Sequence, residues 1–232
     1  MAEKIRYTRR DLKEPDEFIS TFGRTIAWCK ENRSKVALAV LALVVALAAA
    51  FGTRGYLRWQ EGKAAGAIWP LLEEARNFLE SPPGADNAAL MALEGKIASL
   101  AKEHSGTRAS AYAHYYLGSL AFRRGDYAGS LFRFHEGIRT GKAQGVLRFL
   151  LRNGVANALE AKGDYAGAAS AYREAADAAG PAMKTDALFG EARVLGLSGR
   201  KAEAVAVYRH ILKENPETGM KDMIEFMIAR LE

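Results

Sequence analysis

The side chains able to serve as nucleophiles, proton-transfer groups or metal ligands are few: His104, His114, His135 and His210, a single cysteine at Cys29, and acidic pairs such as Glu73-Glu74. Metal coordination asks for several donors that converge, most recognisably two histidines one helical turn apart on one face. No two histidines lie closer than ten residues, and Cys29 is separated from all of them by a long apolar run. Acyl transfer would show as Gly-x-Ser-x-Gly, dinucleotide binding as Gly-x-Gly-x-x-Gly, and phosphoryl transfer as a phosphate loop. None of these strings occurs. Glu73 and Glu74 fall in a stretch of mixed charge, where a solvated helix face explains them without acid or base work. The expectation is therefore no enzyme, no metal and no cofactor, and attention passes to binding.

Charge narrows the partner class. The chain carries a formal +6 with a pI near 9.4, which invites a nucleic-acid reading. The excess is not concentrated: residues 1–35 hold nine Lys and Arg against six Asp and Glu, and residues 54–232 hold 24 against 21. Phosphate tracking needs clustered cations, so nucleic acid is not expected. The absence of any cysteine after position 29 suits an oxidising compartment.

The elements that must position a binding surface announce themselves by repetition. Gly125-Asp-Tyr-Ala-Gly129 recurs as Gly163-Asp-Tyr-Ala-Gly167, 38 residues later, and Gly199-Arg-Lys-Ala-Glu203 follows after 36 more. Five positions after each leading glycine stands a small residue, and nine after stands an aromatic: Ser130 and Phe134, Ala168 and Tyr172, Ala204 and Tyr208. A helical hairpin accounts for the pattern. Glycine makes the tight turn, the small residue lets two helices approach, and the aromatic fills the gap toward the next unit.

On these residues the chain resembles the tetratricopeptide repeat, and units are expected at about 111–144, 149–182 and 185–218. Leu117-Gly118, Gly125, Tyr127 and Phe134 match in the first; Gly163, Tyr165, Ala168, Tyr172 and Ala175 in the second; Gly199, Ala204, Tyr208 and Pro216 in the third. The departures are Ser130 and Gly137 for alanines, Val155-Ala156 for Leu-Gly, and Lys201 for an aromatic. The resemblance implies a concave face lined by fixed positions of each first helix. These are Tyr112, Tyr115, Ser119 and Phe122; then Leu150, Asn153, Asn157 and Glu160; then Asp186, Phe189, Arg193 and Gly196. From these, Tyr112, Tyr115, Ser119, Phe122, Asn153, Asn157, Phe189 and Arg193 are the candidate protein-binding residues, able to hold an extended peptide by stacking and amide hydrogen bonds. The alternative is that Tyr112, Tyr115 and Phe122 pack against a preceding degenerate repeat at about 64–105. Asn157 and Arg193 are placed like part of a carboxylate clamp, but the lysines of such clamps are missing.

Before the repeats, Val36 to Phe51 is uncharged, and with Gly52 and Thr53 it makes 18 residues between Lys35 and Arg54. As a helix this is about 27 Å long, enough to cross the hydrocarbon core of a bilayer. A cleaved signal would have a shorter basic leader than the 35 residues seen here, so an uncleaved anchor is expected, with the basic amino side in the cytoplasm. Ala42, Ala46 and Ala50 form a small-residue stripe that suits self-association, or serve simply as helix filler. In the tail, Pro15 can open a helix with Phe18, Ile19, Phe22, Ile26 and Cys29 on one face, the alternative being a partly disordered tail. Residues 54–80 read as a continuation of the anchor helix with a kink at Pro70. Ser81-Pro-Pro-Gly84 then breaks the chain, 88–102 forms a further helix, and 219–232 closes the stack with Met223, Phe226, Met227 and Leu231 over the core.

The expected architecture is thus all-α: a tail (1–35), one transmembrane helix (36–53), a tetratricopeptide-like α-solenoid (54–218) and a capping helix (219–232). With Leu12-Lys-Glu-Pro-Asp-Glu-Phe18 and Gly55-Tyr-Leu-Arg-Trp59, this order of parts is similar to the bacterial ancillary Sec-translocon subunits (YfgM-like). That resemblance implies an inner-membrane protein whose periplasmic repeats touch translocon subunits, periplasmic chaperones or emerging chains. The repeats also resemble those of envelope-assembly and cell-division scaffolds, which is the alternative function.

Overall fold

Ten α-helices make up the computed structural model, which describes residues 17–81 and 87–232, with only the backbone described for 17–22, 87 and 182. Pro15, most of the Leu12–Phe18 motif and the Pro-Pro-Gly break at 82–84 lie outside the described residues. In chain order the helices are α1 Glu17–Glu31, α2 Arg33–Glu80, α3 Asn87–Glu103, α4 Arg108–Arg123 and α5 Tyr127–Arg139. Then follow α6 Val146–Ala161, α7 Tyr165–Ala178, α8 Pro181–Leu197, α9 Lys201–Glu214 and α10 Lys221–Leu231. Two units result, 1–57 and 58–232. Among the described residues there is no strand.

The first unit contains α1 and the amino-terminal part of α2. Trp28 on α1 is exposed and Cys29 half-buried. On α2 the side chains of Leu38, Leu41, Leu43, Val45 and Phe51 are all exposed, and the most apolar 18-residue window is not buried anywhere. Length and composition make α2 the one described helix able to cross a membrane. The helix runs unbroken through Pro70.

The second unit is a succession of antiparallel hairpins, and its turns explain the repeated pentapeptide. Gly125, Gly163 and Gly199 adopt φ of +82°, +80° and +80°, the left-handed backbone that only glycine enters without strain. The aspartates that follow are helix caps: Asp126 Oδ1 accepts from the Gly129 amide (2.8 Å) and Asp164 Oδ1 from the Gly167 amide (2.9 Å). The closing glycine of each pentapeptide makes room for that cap, since a Cβ on Gly167 would stand 2.5 Å from the Asp164 carboxylate. The third turn has Arg200 as its cap residue without a side-chain cap, and there Glu203 replaces glycine and pairs with Arg200 instead.

Between hairpins, each aromatic of a second helix wedges against glycine. A Cβ at either Gly118 of α4 or Gly154 of α6 would lie 2.6 Å from the Phe134 ring of α5, so that ring is clasped between consecutive first helices. Tyr172 of α7 meets Gly190 of α8 in the same way, at 2.7 Å. Phe134, Tyr172 and Tyr208 are all buried.

The carboxyl-terminal half of α2 acts as another first helix. Ala64, Ile68, Leu72 and Ala75 form its buried stripe, sharing one core with Leu93 and Ile97 of α3 and Ala113 and Leu117 of α4. Glu61 accepts from the Arg108 amide at the start of α4 (3.0 and 3.1 Å), while Arg123, ending α4, donates to the carbonyls of Phe78 and Ser81. The two helices are therefore clamped start to start and end to end, the parallel arrangement of first helices in successive repeats.

At the other end the capping face differs from the expectation. Ile224 is fully buried, with Met227, Ile228 and Leu231 packed against the same core, whereas Met223 and Phe226 are exposed. The stripe 224, 227, 228, 231 is the i, i+3, i+4, i+7 face of a helix, and docking α10 against α9 selects it.

Gly154→Ala, which adds one methyl against the Phe134 ring, is expected to lower stability by about 1–3 kcal/mol. Asp164→Ala, which removes a cap, is expected to cost about 1 kcal/mol. Urea unfolding followed by circular dichroism checks both.

Candidate functional site

The wedge at Phe134 also shapes a groove. Gly118 and Gly154 let α4 and α6 close on the ring from both sides, and beside it the two helices line an open cavity of about 400 Å³. From α4 come Tyr115, Ser119 and Phe122, spaced to lie along one face, with Arg123 at the end. From α6 come Leu150, Asn153, Gly154 and Asn157. Leu79 of α2 closes one side and Phe134 forms the floor.

The aromatic groups are held firmly. Tyr115 leans on Phe134 with centroids 6.2 Å apart and meets Tyr116 edge-on at 5.4 Å; Phe122 packs on Tyr127 at 5.3 Å. Ser119 donates its hydroxyl to the Tyr115 carbonyl at 3.0 Å, leaving its oxygen lone pairs as acceptors. The Asn153 amide has no hydrogen-bond partner among the described residues. A half-buried amide of this kind offers two donors and a carbonyl to a ligand backbone.

Beside the groove lies a polar network. The Tyr172 hydroxyl donates toward Asn157 Oδ1 (2.6 Å) and Glu160 Oε2 (2.7 Å) and is 3.3 Å from Arg193 Nη2. Arg193 grips Glu160 with both terminal nitrogens, Nη2 to Oε2 at 2.8 Å. Burial of the phenol pushes its pKa from 10.0 up to about 12.

Of the eight candidate residues, the fold brings Tyr115, Ser119, Phe122, Asn153 and Asn157 together in one groove. Tyr112 is turned instead onto Trp69 of α2, with centroids 5.0 Å apart, so it packs against the preceding helix pair. Phe189 stacks edge-on against Tyr208 at 5.4 Å inside the carboxyl-terminal core, and Arg193 is engaged with Glu160. Sequence reasoning missed Leu79, Phe134 and Gly154 as groove residues. An interior helix glycine at 154 was the available signal, because such a glycine usually marks a close approach. The histidines do not converge, and among the described residues no three of His, Cys, Asp and Glu are placed to share a metal ion.

No family model and no curated protein matches the sequence. Among solved structures, the chain is similar to the nearly identical TPR-like repeats of kinesin light chain type from Podosopora anserina, at TM-score 0.56 and 12% identity. The match covers 71% of this chain and 84% of that one, and a single-substitution form of the same protein matches equally. At this identity the likeness establishes the fold, an all-helical TPR-like solenoid.

The raised Tyr172 pKa fixes a pH dependence. The folded state holds the phenol proton more tightly than the unfolded chain, so this contribution to stability is fully present below pH 10. It is lost as the pH rises toward about 12. Tyr172→Phe is expected to unfold with a shallower alkaline decline than the wild type when urea midpoints are compared at pH 8 and pH 11.

Proposed function

We propose that this protein is a membrane-anchored scaffold whose groove between α4 and α6 holds an extended segment of another protein. The observation that carries the reading is the groove itself: Tyr115, Phe122 and Leu150 present apolar surface beside an uncommitted Asn153 amide. Apolar pockets for alternate side chains with amide groups for the backbone are the requirements of extended-peptide recognition. Rigid aromatic groups add contact area at little cost in conformational entropy.

The anchor reading is supported by α2, where the unburied apolar stretch is flanked by Lys35 and Arg54. Water is a poor solvent for such a helix, at about 25 cal/mol for each Å² of apolar surface, and a bilayer removes that cost. The basic residues before it favour an orientation with the tail in the cytoplasm and the repeats in the periplasm of a bacterial inner membrane. Ala42, Ala46 and Ala50 give the span a face on which a second copy can pack. With this topology the partners are translocon subunits, periplasmic chaperones or emerging chains, as the order of parts suggests.

A photo-crosslinking amino acid at position 115 or 157 is expected to trap translocon subunits or periplasmic chaperones in membranes. The same group at Lys162, exposed in the turn after α6, should not. Recovery of no protein partner from position 115 overturns the reading. Depletion that produces division or outer-membrane defects, with envelope-assembly proteins crosslinked in place of the translocon, moves it to that setting.

Protease added to spheroplasts is expected to degrade the repeat domain and spare the amino-terminal tail. The opposite pattern reverses the orientation.

A further inference from the structure

A capping helix closes a solenoid by burying one face and turning a polar one to the solvent. Helix α10 does the first and not the second. Its inward stripe is Ile224, Met227, Ile228 and Leu231, while Phe226 on the opposite side is 63% exposed and Met223 beside it 54%. Asp222, Phe226 and Arg230 follow one another at i, i+4 and i+8, so they stand in one row along the outward face, and all three are exposed. Ala229, also exposed, lies next to that row. The charged residues of the face are Lys221, Asp222, Glu225 and Arg230, two of each sign. Nearby arginines are engaged, Arg209 with Glu232 and Arg200 with Glu203. Among the described residues, Asp222 and Arg230 make no ion pair and no side-chain hydrogen bond.

We propose that this face of α10 pairs with the same face of a second copy of the chain, antiparallel about a two-fold axis at Phe226. Such an axis matches positions equidistant from 226. Phe226 then meets its own counterpart, Met223 meets Ala229 and Asp222 meets Arg230, the last two contacts each occurring twice. The face is therefore its own complement. The two aromatic rings leave water together, the small Ala229 makes room for the long Met223 side chain, and each unpaired charge finds the opposite one. A parallel pair would set Asp222 on Asp222 and Arg230 on Arg230, and like charges in contact reject it. A helix of 11 residues buries less than the roughly 1,200 Å² of a lasting complex, so the pair is weak and exchanges. Pairing here is independent of what the groove between α4 and α6 holds.

Disulfide trapping suits a weak pair, and Cys29 is the only cysteine, so Cys29→Ser gives a background for single cysteines. Full-length variants are purified in detergent, checked for folding by thermal melting, oxidised with copper phenanthroline and read on non-reducing gels. Phe226→Cys is expected to crosslink to itself, and Lys162→Cys, exposed in the turn after α6, is not. Asp222→Cys and Arg230→Cys are each expected to stay monomeric alone, since antiparallel pairing leaves like positions about 12 Å apart along the helix. Mixed together they are expected to form the dimer. Met223→Cys mixed with Ala229→Cys keeps Phe226 and serves as a second reporter. Crosslinking at 226 no greater than at 162, or positions 222 and 230 that crosslink to themselves, overturns the inference. In the Phe226→Cys background, Asp222→Arg or Arg230→Asp is expected to lower crosslinking about tenfold, and the two together to restore it. If these charges serve only the ends of their own helix, the combined variant melts lowest and crosslinks no better than either single one, which overturns the pairing. A photo-crosslinking amino acid at 226 that traps a different protein in membranes, and no second copy, overturns it as well.

Discussion

The clasp of an aromatic ring between glycines of successive first helices is the constraint on which the repeat domain depends. Phe134 can lie between α4 and α6 only because positions 118 and 154 carry no Cβ. Removing either vacancy separates the helices by the width of a methyl group, and a close-packed interior has no slack to absorb it. The same contact joins α7 to α8 through Tyr172 and Gly190. Because each clasp links one hairpin to the next, the stack is held by nearest-neighbour contacts and its geometry repeats with the sequence period.

That packing also shapes the groove. Phe134, clasped between α4 and α6, also lines the groove, so the groove and the core of the repeat share one ring. Tyr172, one repeat on, has a hydroxyl where Phe134 has none, and that oxygen organises Asn157, Glu160 and Arg193. A one-atom difference at equivalent positions thus gives one repeat an apolar hollow and the next a closed polar network. The polar network is affordable in a half-buried place because its charges are paired and its hydrogen bonds are made.

The ends of the solenoid are treated differently from its middle. At the amino end, α2 supplies a full first helix, tied to α4 by Glu61 at the start and by Arg123 at the end. At the carboxyl end α10 covers Tyr208 and Ile211 with Ile224 and its neighbours. The exposed Met223 and Phe226 are the consequence of a short helix carrying more apolar residues than one face can bury.

Local features were legible in the sequence because their physics is local. A glycine that must enter positive φ, an aspartate three residues before the amide it caps, a small residue at helix contact spacing and an uncharged run of 18 residues each act within a few positions. The repeat, its turns and the apolar segment could therefore be read directly. Five groove residues followed from their offsets within the repeat, since a helix face is also a local property. What lay beyond reach were contacts between residues far apart in the chain: Tyr172 with Asn157, 15 positions away, and Arg193 with Glu160, 33 positions away. Those pairings decided that Asn157 and Arg193, chosen from the sequence as ligand-binding groups, are engaged with the protein itself. Other long-range contacts turn Tyr112 toward Trp69 and bring Leu79 into the groove. Sequence alone determined which elements form and where they turn; only the tertiary structure decided which polar groups remain available, because hydrogen-bond satisfaction is settled between elements and not within them.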